Sequence, residues 1–120
     1  MRGPSGNRRS YLNGAHPVFE LPSQFVEYIE GGGLMFFETS HEFGGMIEIE
    51  ELSNISQFNQ DIEIETYAPG YVAFATDGGG EAFAFDAEGK VYLLPMIGMT
   101  PEAATKIEDS WGSYLSKALK

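Results

Sequence analysis

Apolar positions recur along this chain at two periods, and the switches between them mark its elements. In "LPSQFVEYIEGGG" (21–33) Phe25, Val26 and Ile29 share one helical face, Pro22 suits a first turn with Leu21 or Ser23 near the cap, and Gly31–Gly33 stop the run. A short helix over about 22–30 is predicted. "LMFFETS" (34–40) and "GGMIEIEEL" (44–52) read as strands; in the second, Ile47 and Ile49 alternate with Glu48 and Glu50. "ELSNISQFNQ" (51–60) spaces Leu52, Ile55 and Phe58 as a second short helix. In "DIEIETYAPG" (61–70) the alternation returns, with Ile62 and Ile64 set against Asp61, Glu63 and Glu65, and a strand or extended edge is expected up to Pro69-Gly70.

The clearest strand signals are Tyr71–Thr76 and Ala82–Asp86, on either side of "DGGGE". Phe83 and Phe85 occupy one face of the second strand and Ala82 and Ala84 the other. Residues that small let a helix approach closely, so this strand is expected to be covered on both sides. "DAEGK" marks another turn and "VYLLP" a further strand. The closing "MTPEAATKIEDSWGSYLSKALK" reads as one helix. Thr100 is its cap, Pro101 and Glu102 open it, and Ala103, Ile107, Trp111, Tyr114, Leu115 and Leu119 form its apolar stripe. Residues 1–16 show no period and are expected to be a flexible tail. The sum is a single α+β domain over 17–120, with an antiparallel or mixed meander of about five strands packed by about three helices.

Composition adds limits. A chain of 120 residues with 42% hydrophobic and 13% aromatic content can bury one core. Without cysteine it has no disulfide, thiol nucleophile or thiolate-bound metal, which fits a reducing compartment. No apolar run is long enough to cross a bilayer, and the basic N-terminus leads into no hydrophobic segment, so a cytoplasmic protein is expected.

Charge changes the picture most. The net charge is −11, and no Lys or Arg falls between Arg9 and Lys90. All the acids except Glu102, Glu108 and Asp109 lie in that interval, fifteen of the 18. Such a surface repels nucleic acid and anionic membrane, and attracts a basic protein at a rate that salt suppresses. Solubility alone is the bland alternative.

Candidate chemistry is thin. A phosphate cradle needs a helix N-terminus and usually a cation, whereas "DGGGE" joins two strand-like segments and puts Asp77 and Glu81 where an anion would sit. The glycines are expected to form a hairpin turn. Asp77, Glu81, Asp86 and Glu88 lack the spacing of an EF-hand, and His41-Glu42, with His16 far off, falls short of a zinc site. Ser40 next to His41 is not a nucleophile–base pair, because chain neighbours seldom face each other. No enzyme, cofactor or metal is therefore expected.

Four segments together resemble the SUKH superfamily, in particular its Smi/Knr branch of fungal cell-wall-synthesis regulators. They are "LPSQFVEYIEGGG", "APGYVAFATDGGGEAFAFD" (68–86), "GKVYLLPMIGM" (89–99) and "TKIEDSWGSYL" (105–115). The second is the most specific; it carries the signature turn Asp77, Gly78, Gly79, Gly80, Glu81 and the following Asp86. The resemblance spans about 17–119 and departs in one respect: family members usually have a helix before the Leu-Pro motif, where this chain has its Gly- and Arg-containing tail. It implies a SUKH-like fold and no catalysis. Bacterial members are inferred to be immunity proteins that bind and neutralise toxins of contact-dependent or polymorphic systems, and fungal members are regulatory hubs. The expectation is thus a bacterial immunity protein whose partner is a basic toxin domain, such as a nuclease. Glu48, Glu50, Glu51, Asp61, Glu63 and Glu65 are its candidate docking residues, opposite isoleucines that should face the core. The alternatives are a regulatory adaptor with no toxin partner and a small-molecule or metal-binding module built on the glycine turn.

Overall fold

Most of the apolar segments pair side by side. The computed structural model describes residues 9–11, 19–43 and 45–120. Arg9–Tyr11 (β1) pairs antiparallel with Phe19–Leu21 (β2), so part of the expected tail is a strand; the rest of 1–16 lies outside the described residues. After Ser23–Glu30 (α1) come Phe36–Glu38 (β3) and Met46–Ile49 (β4), then two helices, Leu52–Asp61 (α2) and Ile64–Tyr67 (α3). Val72–Thr76 (β5), Glu81–Phe85 (β6) and Val91–Pro95 (β7) follow as consecutive hairpins. A 3-10 turn at Pro101–Ala103 leads into Thr105–Glu108 (β8), and Trp111–Ala118 (α4) closes the chain. The strands β3 to β8 form one antiparallel sheet in chain order. It has six strands where about five were expected, and four helices pack with it where about three were expected.

Both faces of the sheet are covered, and side-chain size decides by what. On one face Phe74, Phe83 and Phe85 meet α1 and α4 through Phe25, Trp111 and Tyr114. Phe74 stacks on Phe85 at 4.1 Å, and Phe25 meets Trp111 edge-on at 5.1 Å. The register shifts between Ala73 and Ala75, and this bulge turns both Phe74 and Ala75 into that core. On the other face Ala73, Ala82 and Ala84 lie under Ile64 and Ala68 of the α3 segment, with Leu94 and Met99 completing a second apolar cluster. The alternation of Phe and Ala in β6 thus has the two-sided consequence read from the sequence. Buried Asn59 fixes α2 to β5: its amide donates to the Ile55 and Ala73 carbonyls and accepts from the Ala73 N–H, at 2.7–2.8 Å.

Two segments differ from expectation. Residues 61–67 are not a strand. The chain leaves α2 at Ile62, takes a left-handed conformation at Glu63 (φ 56°) and re-enters helix at Ile64. The C-terminal segment is not one helix either. Thr100 caps only the 3-10 turn, and α4 is capped by Ser110, whose Oγ accepts from the Ser113 N–H at 3.0 Å.

Candidate functional site

The two acidic turns follow from one device. Asp77 Oδ1 accepts from the N–H groups of Gly79 (2.7 Å) and Glu81 (3.0 Å), two and four residues on. Asp86 Oδ1 accepts from Glu88 and Lys90 at the same spacings, each at 2.9 Å. Each carboxylate closes a hairpin by taking backbone donors that the sheet leaves over. Gly78 (φ 78°) and Gly80 (φ 106°) adopt a conformation costly for other residues, and a Cβ on Gly78 would press Met46 Sδ at 3.2 Å. The turns sit at opposite ends of β6, about 17 Å apart for a five-residue strand. Asp77 and Asp86 therefore do not converge on a cation. Asp86 Oδ2 also accepts from Tyr92 Oη at 3.0 Å; burial, then this bond and the Asp86 charge, push the Tyr92 phenol up to about 12.

The candidate docking acids fall into two groups, one at each end of α2. Glu48 is exposed on β4, in register with Phe36 and Thr76 on the sheet face opposite buried Ile47 and Ile49. Glu50 accepts from Asn54 Nδ2 at 2.6 Å, and Glu51 is the exposed residue before the helix. Asp61 ends α2 and accepts from Gln57 at 2.8 Å, while Glu63 and Glu65 are exposed on the α2–α3 corner. A ten-residue helix separates the groups by roughly 15 Å. The structure thus brings together Asp61, Glu63 and Glu65, and sets Glu48, Glu50 and Glu51 apart from them. Beside the corner, an open groove of about 600 Å³ runs between it and the loop that follows β7, reaching Tyr67, Met96 and Met99.

A third polar group lies beneath the surface. Glu108 at the end of β8 is 8% exposed and accepts from Lys117 Nζ (2.8 Å), Ser113 Oγ (2.6 Å) and His41 Nε2 (2.8 Å). Burial alone would raise its pKa, but the three donors and the Lys117 charge win and hold it at about 2. His41 Nδ1 accepts from the Phe43 N–H at 3.1 Å, so the ring proton sits on Nε2 and is donated to Glu108. The ring stacks on Tyr114 at 5.0 Å, and the Ser40 N–H donates to the Ala118 carbonyl at 2.8 Å. The ensemble ties the β3–β4 loop to α4. Ser40 Oγ donates to the Lys120 carbonyl at 3.3 Å, which adds a further tie between the same loop and the C-terminal residues.

The sequence model of the SMI1/KNR4 family (SUKH-1) matches residues 18–117, nearly the whole chain. The chain belongs to that family. A search of curated proteins finds no match. In this SUKH-1 domain, the segment read as the family signature, Asp77–Glu81 with Asp86, is the pair of carboxylate-closed turns bounding the central strand. No helix among the described residues is long and apolar enough to cross a membrane.

Two features escaped the sequence reading. A single helix over the closing segment, as its spacing predicts, gives no hint of the burial of Glu108 or of its pairing with His41. Ser110 followed by Trp111 was the available signal, a cap residue just before an apolar run. The groove joins residues 61–67 to 96–100, and no local pattern announces such a long-range meeting.

Proposed function

We propose that this SUKH-1 chain is a non-enzymatic, cytoplasmic binding protein of the immunity type, which masks a basic toxin domain by docking its acidic α2–α3 side onto it. One observation carries the reading: residues 10–89 hold fifteen acids and not one Lys or Arg. Asp61, Glu63 and Glu65 present that charge on an exposed corner. A nuclease toxin binds a polyanion and so offers a basic cleft, which such a corner fits by charge and approaches under electrostatic steering. The family supports a protein partner, since SUKH members include toxin immunity proteins.

The test takes as its probe any toxin-domain protein encoded beside this chain. Co-expression should restore growth of cells making that product, and the purified pair should associate faster at low salt. Replacing Glu63 and Glu65 by Lys should slow association on the order of tenfold at low ionic strength and flatten its salt dependence. If the neighbouring product neither binds nor is neutralised, the immunity reading fails and a regulatory adaptor takes its place. Unchanged association kinetics in the double variant would move the docking face elsewhere.

A further inference from the structure

The groove at the α2–α3 corner combines features that single it out from the rest of the surface. Its floor is apolar: Met99 is buried within the second core, and Ile62 and Met96 are half-buried against that core. Its walls are incompletely covered. Tyr67 is 50% exposed, and Ile97, between the lining residues Met96 and Gly98, is 91% exposed. Asp61 and Glu63 stand on one side, and neither is ion-paired among the described residues. Glu63 is also the one non-glycine residue with positive φ among those described. A glycine would hold that corner without strain, yet the chain keeps a carboxylate there, and strain retained at a surface site is an indication of use.

We infer that this groove is where a partner protein docks, and that its occupant is a segment presenting a Lys or Arg beside an aliphatic side chain. The proposal refines the protein-binding reading above by giving the docking a place. The aliphatic group would lie on Met96, Met99 and Ile62 and shield Tyr67 and Ile97. The cation would reach Asp61 and Glu63, which have no ion-pair partner among the described residues. Nucleic acid and other anions are disfavoured, because the lining contains no cation. A purely apolar segment would leave the two carboxylates partly desolvated and unpaired.

The methionines supply a readout in the intact protein. Met96 and Met99 line the groove, while Met35 and Met46 report from the β3–β4 side. With methyl-labelled methionine, an end-blocked peptide alternating Lys and Leu should shift the Met96 and Met99 resonances and leave Met35 and Met46 in place. Peptides with Glu for Lys, or with Ser for Leu, should bind much more weakly. The Asp61→Asn/Glu63→Gln variant should hold the Lys-Leu peptide about tenfold less tightly, with Met35 and Met46 unmoved as proof of folding. Equal binding of either control peptide, shifts at Met35 and Met46 instead, or no shift at all would overturn the proposal. So would movement of Met96 and Met99 on simple dilution, which would identify a second copy of the chain as the occupant. If the peptide binds but no toxin partner exists, the groove stands and the immunity reading falls. If a toxin binds and Asp61→Asn/Glu63→Gln does not weaken it, the reverse holds.

Discussion

Glu108 accepts from three side-chain donors in a place nearly closed to water, and that ties its charge to the stability of the fold. Its folded pKa of about 2 lies below the ordinary value of 4.5 that the unfolded chain restores. A depressed folded pKa stabilises the protein fully above the unfolded value, and the gain is lost as pH falls from about 5 towards 2. Glu108→Gln should therefore cost about 1–3 kcal/mol at pH 7, because charge-assisted bonds from Lys117, Ser113 and His41 weaken together. Urea unfolding of both proteins at pH 7 and again near pH 3 should show the gap closing in acid; a gap independent of pH would refute the account. None of this pairing was visible in sequence. His41 falls in a loop and Glu108 in a segment that reads as helix, and a partner 67 positions away leaves no local trace.

At the level of elements, β6 is held by a carboxylate at each end, but the two are not equivalent. Asp77 serves two backbone donors in an exposed turn, whereas Asp86 serves two and the half-buried Tyr92 hydroxyl as well. Asp86→Ala should destabilise by about 2–3 kcal/mol and Asp77→Ala by about half as much, measured by thermal or urea unfolding. In Asp86→Ala the Tyr92 phenol should also titrate closer to its usual 10, which absorbance at high pH would detect. The reverse order of stabilities would mean that the glycines, not the carboxylates, set the turns. These hairpins were legible because turn chemistry is local: an acid, glycines at positive φ, and alternating strands on both sides. Residues 61–67 were not. Ile62 and Ile64 alternate with acids as a strand would, but here the left-handed Glu63 resets the helical phase, so that both isoleucines turn inward across a break between two helices. Likewise Ile107 fits the spacing of a helical stripe yet is buried from β8, with Ser110 starting the helix only afterwards. Short segments satisfy both periods at once, and tertiary pairing chooses between them.

Across the whole molecule the charge acts as a field rather than as pairs. The protein measures 38 × 37 × 22 Å and carries a net charge of −11. At about 0.01 M salt the screening length is roughly 30 Å, so acids on opposite sides repel one another; at about 0.15 M it is roughly 8 Å, and only neighbours do. Two exposed ion pairs, Lys90–Glu88 and Lys106–Asp109, act in the other direction, but water and salt screen side chains this exposed and leave little net gain. Repulsion among the unpaired acids should win. The melting temperature is therefore expected to rise by a few degrees as NaCl goes from about 0.01 to 0.15 M, then level off as screening is completed. A melting temperature that stayed flat or fell over this range would show that the acids are too dispersed to act together. If it rises, a cationic partner seated on the acidic corner should do locally what salt does globally. Its stabilising effect on this chain would then be largest at the lowest ionic strength and shrink as the salt takes over the same work.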